Sequence, residues 1–227
     1  MKIWFISDTH TRHEDLDVPR ADAVIHCGDE ANVRKPRLNS LEAKPFFRWF
    51  SELDIETKIF VPGNHSTAFA EGLIKPEEYP SIRFLIHESM TFAGLHIFGT
   101  PYTPAFFDWA YMKPREEINV LWDTIPNNVD ILISHGPPKG IRDVTRDWRT
   151  KAPIHVGSKS LMRQVTERIK PRIHAFGHLH DEAGIKNFGT ETHGDTQFIN
   201  CSCVDLQGNL VNHGLVVDFE RAESLAN

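Results

Sequence analysis

The chain has 227 residues, is 40% apolar and 25% charged, and carries a formal net charge of −6. That length suits one domain with a sizeable core that needs no disulfides. No long block of one charge sign occurs, which argues against a basic nucleic-acid surface or a polybasic membrane anchor. Cys27, Cys201 and Cys203 fit no zinc-ribbon spacing; Cys27 sits in an apolar run, and Cys201 and Cys203 alternate so as to share one strand face. The opening MKIWFISD shows no signal peptide, and no apolar stretch is long enough to span a bilayer, so a reduced, soluble, cytoplasmic protein is expected.

In chain order, short runs rich in Ile, Val and Phe predict strands at 2–7, 23–27, 58–61, 82–86, 95–98, 130–134, 173–176, 197–201 and 215–219. Helices are predicted between them. Residues 41–53 present a broad apolar face (Phe46, Phe47, Trp49, Phe50, Leu53) despite Pro45. Residues 115–125 come after Pro114, a good first-turn residue, and 158–170 run from a Ser cap to Pro171. Strands alternating with helices predict an α/β layered domain over 1–227, with two sheets because the strands are many.

The residues just after each run are more informative. Residues 3–6 lead into Ser7-Asp8-Thr9-His10, and 23–27 into Gly28-Asp29. Residues 59–61 lead into Pro62-Gly63-Asn64-His65, 131–133 into Ser134-His135-Gly136, and 173–176 into Gly177-His178-Leu179-His180. In α/β sheets the carboxyl ends of strands form the ligand crevice, so clusters far apart in sequence can converge there. Each cluster alone is weak: Gly-Asp is a common turn, and His-x-His is more often a pair of strand residues. Their shared position after a strand is the unusual feature. Imidazole, carboxylate and amide oxygen suit divalent Mn, Fe, Ni or Zn, whereas Mg and Ca prefer all-oxygen shells. Seven ligands exceed the need of one ion and suffice for two if one carboxylate bridges them. His13, His26, His87, His96, His155, His174, His193 and His213 have no motif partner and read as structural.

At these residues the sequence resembles the calcineurin-like metallophosphoesterases, whose blocks are Asp-x-His, Gly-Asp, Gly-Asn-His-(Asp/Glu), His and Gly-His-x-His. All five blocks occur, from Asp8 to His180. Gly99-Thr100-Pro101-Tyr102-Thr103-Pro104 with Asp108-Trp109, then Ser134-His135-Gly136-Pro137-Pro138 with Arg142-Asp143, and Phe198-Ile199-Asn200-Cys201-Ser202 are similar to its metallophosphoesterase-domain-containing branch, the class III cyclic nucleotide phosphodiesterase-like group. The resemblance implies a βα-sandwich: two mixed sheets face to face with flanking helices. It implies that Asp8, His10 and His180 hold one divalent ion, that Asn64, His135 and His178 hold a second, and that Asp29 bridges them, with Mn first among Mn, Fe, Ni and Zn. It also implies catalytic roles for Asp29, Asn64 and His65. Ser66 stands where many relatives have an acidic residue beside that histidine.

The expected activity is hydrolysis of a small diester or cyclic nucleotide by in-line attack of a metal-bridging hydroxide, with His65 protonating the leaving oxygen. Asn32, Asn64, His65, Tyr102 and Trp109 are the expected substrate contacts, and Tyr102, Phe106, Phe107 and Trp109 form an aromatic-rich loop. The expected partner is a small phosphate ester, with nucleotides included and membranes and polymeric nucleic acid excluded. The competing readings are a phosphomonoesterase or nuclease of the same superfamily, and a non-catalytic module that keeps the fold. A nuclease should show a basic track, and a non-catalytic module should have lost ligands; neither holds here.

Overall fold

Alternate residues of the first strand divide between two apolar layers. Ile3 and Phe5 enter one buried cluster, and Trp4 and Ile6 enter another. A strand buried on both faces reads as a continuous apolar run, which is why these segments are legible in sequence. The computed structural model describes residues 1–219; the domain expected over 1–227 therefore ends in 220–227, which lie outside the described residues.

The chain runs through β1 (Lys2–Ile6), β2 (Ala23–His26), α1 (Pro36–Glu52), β3 (Thr57–Phe60), α2 (Thr67–Ala70), β4 (Ile82–Phe84), β5 (Glu88–Phe92) and β6 (Leu95–Thr100). It continues through β7 (Thr103–Pro104), β8 (Met112–Lys113), α3 (Arg115–Asp123), β9 (Ile131–Ser134), β10 (Val144–Arg146), β11 (Pro153–His155) and α4 (Lys159–Arg163). The last strands are β12 (Ile173–Phe176), β13 (Gly189–His193), β14 (Thr196–Asn200) and β15 (Leu215–Asp218). One sheet has the order β15-β1-β2-β3-β4, the other β13-β14-β12-β9-β6-β5. Both are mixed: the inner pairs are parallel, and β15, β13 and β5 are antiparallel edges.

Ile3, Phe5, Ile25 and Ile59 of the first sheet meet Ile97, Ile131, Ile133, Ile173 and Ile199 of the second in one shared core. The opposite faces pack on helices. Trp4, Val24 and Phe60 meet Phe46, Phe47 and Phe50 of α1, and Leu132, Phe176 and Phe198 meet Ile118, Trp122 and Leu161 of α3 and α4. The expected α/β sandwich is the observed one. Among the described residues no helix is long and apolar enough to cross a membrane.

Several local expectations shift. Helix α1 begins at Pro36 rather than near 41, because its first turn carries few apolar residues and Pro at the start needs no hydrogen-bonded N–H. Pro45 lies inside α1. An interior proline costs about 3 kcal/mol, whereas each buried Phe contributes about 1.5–3 kcal/mol, so Phe46, Phe47 and Phe50 carry the helix through. The segment expected as one helix over 158–170 is α4 followed by a π-helical turn, Gln164–Ile169. Its Ser158 cap is present, with Oγ accepting from Leu161 N at 3.2 Å. Cys201 and Cys203 do not share a face: strand β14 stops at Asn200, after which Cys201 points between the sheets and Cys203 packs on the α1 side.

Two fully buried histidines make stability pH-dependent. Gly28 N donates to His26 Nδ1 at 3.1 Å, so that nitrogen is bare and Nε2–H faces Thr9 Oγ1. Ser134 Oγ donates to the Gly136 carbonyl, so it accepts from His174 Nε2 at 2.8 Å. Burial pushes both imidazoles down to about 3. The unfolded chain takes up these protons near the ordinary histidine pKa, and the folded chain does so only near 3, so stability falls as pH drops between those values. Each such histidine adds a slope of about 1.4 kcal/mol per pH unit. Urea unfolding of His174→Leu between pH 6 and pH 4.5 is expected to show a shallower pH slope by about that amount; an unchanged slope would refute neutral burial.

Candidate metal centre

Strands β1, β2 and β3 are adjacent and parallel, as are β9 and β12. All five motif clusters leave the same ends of these strands. Backbone bonds stitch the two rims together: Ser7 N donates to the Cys201 carbonyl at 3.0 Å, and Gly177 N to the His135 carbonyl at 2.9 Å. The result is two side-chain groups, Asp8–His10–His180 and Asp29–His135–His178, each with its ligand atoms within 4.8 Å of one another. Asn64 joins the second group through Oδ1, 2.9 Å from His135 Nε2. All seven expected ligands therefore gather at one rim.

The backbone is bent to achieve this. Asp8, His10, Asp29 and His178 have φ of 49°, 40°, 62° and 68°. Non-glycine residues at positive φ cost of order 1–3 kcal/mol each and persist where the surroundings hold them. Here the surroundings are specific: Asp8 N donates to the Gly28 carbonyl at 2.8 Å, and His10 N to the Asp29 carbonyl at 3.2 Å. Gly63 matters for space rather than conformation, since a Cβ there would lie 2.2 Å from Asp29 Oδ1.

Hydrogen bonds also fix the histidine tautomers. His10, His135 and His180 place Nδ1 against the carbonyls of Ala31, Cys27 and Asp205 at 2.9, 2.8 and 3.2 Å. A carbonyl only accepts, so Nδ1 carries the proton and Nε2 is left for the centre. This outer-shell arrangement orients metal-ligating histidines and raises their basicity. Asp8 Oδ2 accepts from His178 N and Ser202 Oγ, both at 2.8 Å, and its Oδ1 lies 3.3 Å from His180 Nε2.

Burial would raise the Asp8 carboxyl, but the hydrogen bond and charge of His180, with the charges of His135 and His10, hold it well below the usual carboxylate range. Burial also opposes ionisation of Asp29, yet the charges of His135 and His65 and the His135 hydrogen bond hold it below that range as well. Burial pushes His178 down to about 3 and His10 to about 4. His135 goes the other way: against burial, Asp29 and Asp8 push it up to about 9. Two ionised carboxylates in a buried pit, which burial would otherwise oppose and which draw His135 and His180 toward the charged form, make a field suited to cations. The donor set of imidazole, carboxylate and amide oxygen fits first-row divalent metals.

Sequence reasoning missed Glu30, which is fully buried. Ser66 Oγ donates to Glu30 Oε2 at 2.6 Å and accepts from Gly63 N at 2.9 Å. The acidic residue absent at position 66 is thus matched by a carboxyl from the Gly-Asp block, one residue after Asp29. The signal was the Gly28-Asp29-Glu30 run read together with Ser66. His65 itself is oriented by a carbonyl: its Nδ1 donates to Asn32 O at 2.7 Å, and its N donates to Asp29 Oδ1 at 2.7 Å. The His65 ring lies 4.8 Å from that of His10.

A cavity of about 1210 Å³ opens over the centre. Asn32, Asn64 and His65 line it. Tyr102 and Trp109, also expected there, do not. Tyr102 packs on the α3–α4 core beside His87, and Trp109 is held over the His65 ring, with centroids 4.1 Å apart and Arg34 on it. The aromatic wall comes from Phe106 and Phe107 of the expected loop, joined by Trp148. Trp148 lies in the β10–β11 connection and has no motif that marks it.

The fold is found in known structures. The phosphopantetheinyl hydrolase of Mycobacterium tuberculosis superposes with a TM-score of 0.58 at 15% identity, over 91% of this chain and 90% of that one. A family model described as calcineurin-like phosphoesterase matches residues 1–182, and the chain belongs to that family. Metallophosphoesterase domain-containing protein 1 of Homo sapiens is 32% identical over 94% of this chain and 69% of its own length. The UPF0046 protein K07C11.7 of Caenorhabditis elegans is 30% identical, covering 100% of this chain and 77% of its own. The chain is thus a phosphoesterase-family protein with two clusters suited to the divalent metals such proteins use.

Proposed function

We propose that the protein is a two-metal phosphodiesterase acting on small diesters, cyclic nucleotides among them, with Mn as the first-choice ion and Fe, Ni or Zn as substitutes. The observation that carries this reading is the pair of ligand groups at one rim, with His65 beside them on a fixed ring. Asp8, His10 and His180 would hold one ion, Asn64, His135 and His178 the other, and Asp29 both. Two such ions supply positive charge to the phosphoryl oxygens and a water acidic enough to attack near neutral pH. His65, with Nδ1–H tied to Asn32 O, carries its transferable proton on Nε2 and delivers it to the leaving oxygen. Trp109 and His10 keep that ring from turning. Three free, buried thiols support a reducing, cytoplasmic setting.

The test compares bis-para-nitrophenyl phosphate with the monoester on metal-stripped and Mn-loaded protein, in wild type and His65→Ala. Turnover is expected only with metal and mainly on the diester. With a cyclic nucleotide added as the substrate that expels an alkoxide, His65→Ala is expected to lose about 10²–10⁴-fold, and with the nitrophenyl esters much less. Equal losses reject the acid role, and turnover by the metal-stripped protein rejects the two-metal reading.

A further inference from the structure

The cavity is far larger than one phosphate needs, and drug-sized ligands are held in pockets of about 300–1,000 Å³. Its walls decide what fills the remainder. Phe106 and Phe107, between β7 and β8, are 52% and 72% exposed, and Trp148, between β10 and β11, is 72% exposed. These side chains come from separate connections and line the same space as the metal centre. Large apolar side chains left in water beside a reaction centre mark a place where a ligand completes the burial.

Charge narrows the ligand further. Two guanidinium groups line the cavity, those of Arg115 and Arg146, and among the described residues only the second is paired with an acid. Arg115 donates to the Val156 and Gly157 carbonyls. Arg146 donates to the Lys151 and Ala183 carbonyls and pairs with Glu182 at 3.5 Å. Among the described residues no lysine lines the cavity, whereas Asp147, Glu182 and Asp205 do. A second phosphate would meet these carboxylates, with only Arg115, which pairs with no acid among the described residues, to set against them.

We propose that Phe107 and Trp148, one from each connection, form an apolar clamp that selects phosphodiesters bearing one large, uncharged aromatic or apolar group and disfavours those with a second phosphate. This rests on the phosphodiesterase reading above, which places the reacting phosphate at the metal centre. The clamp acts on the organic group beyond it, removing apolar surface from water.

Esters sharing one leaving group isolate the effect: methyl para-nitrophenyl phosphate, 2-naphthyl para-nitrophenyl phosphate, and the latter with a phosphate on its naphthyl ring. In parallel, calorimetry would measure binding of 2-naphthyl and methyl esters of methylphosphonate to the Mn-loaded protein. Wild type is expected to favour naphthyl over methyl by about ten-fold or more in both kcat/KM and affinity, and the added phosphate to abolish that gain. Trp148→Ala and Phe107→Ala are each expected to shrink the preference about ten-fold. The exposed Leu41→Ala on α1 serves as the control. Equal binding of naphthyl and methyl phosphonates overturns the clamp, as does tighter binding of the doubly phosphorylated ester. Naphthyl-selective binding without turnover of any ester sinks the phosphodiesterase reading and leaves the clamp standing.

Discussion

Asp29→Asn is expected to lower Mn-dependent turnover of bis-para-nitrophenyl phosphate by roughly 10²–10³-fold or more, the scale seen when one preorganised electrostatic group is removed. The substitution keeps size and shape, so the loss reports charge and bonding. Asp29 is 2% exposed; its Oδ1 accepts His65 N at 2.7 Å and its Oδ2 lies 3.2 Å from His135 Nε2. An amide has one acceptor oxygen where the carboxylate has two, so an asparagine that accepts from His65 N has no second oxygen to offer on the His135 side. The charge that pushes His135 up to about 9 also disappears. Bound Mn per chain, measured by mass spectrometry, is expected to fall below two.

The same change gives a pH signature in metal-stripped protein. The folded pKa of Asp29 is depressed, so its stabilisation is present above the ordinary carboxylate pKa and fades as pH falls through the folded value. The folded pKa of His135 is raised, so its share is complete below the ordinary histidine value and is lost as pH rises toward about 9. The stability gap between wild type and Asp29→Asn should therefore be widest between about pH 4 and 6.5. A flat gap across pH 4–9, or two tightly bound Mn in the variant, would refute the assigned role of Asp29.

Much of this centre was legible in sequence because its clusters come directly after buried parallel strands, which announce themselves as unbroken apolar runs. The turn glycines and the Asp, Asn and His residues then fall at a fixed place after each run. The antiparallel edges β5 and β13 were missed for the converse reason: Glu88–Phe92 and Gly189–His193 are mostly exposed or half-buried and carry few large apolar residues. Glu30 was missed because its meaning lies in a contact with Ser66, 36 positions away. Tyr102 and Trp109 looked like ligand contacts because aromatic residues in a loop carry no sign of which way they face. Trp148 was invisible for the same reason: periodicity reports burial, and this side chain is exposed.

Gly177→Ala should be the most damaging single-methyl change in the protein. Its φ is not among the positive values, so alanine meets no backbone strain there. The obstacle is space: a Cβ would lie 2.0 Å from Ser7 Oγ and 2.1 Å from Asp8 Oδ2. Ser7 and Asp8 are fully buried, so neither can swing into solvent. Displacing Asp8 Oδ2 breaks its bonds from His178 N and Ser202 Oγ. Overpacking costs about 1–3 kcal/mol, and each lost bond to a charged acceptor about 1.5–3 kcal/mol, against a total stability of about 5–15 kcal/mol. A fall in Tm of roughly 10–35 °C is expected for a chain of this size. Asp8 and His178 belong to different ligand groups, so occupancy of both ions should drop together. Gly72→Ala separates the two causes: Gly72 has φ of 68° and nothing within 4 Å of an added methyl, so it should lower Tm modestly and leave metal content alone. A Gly177→Ala protein that matched wild type in Tm and held two Mn would show that Ser7 and Asp8 have room the packing does not give them.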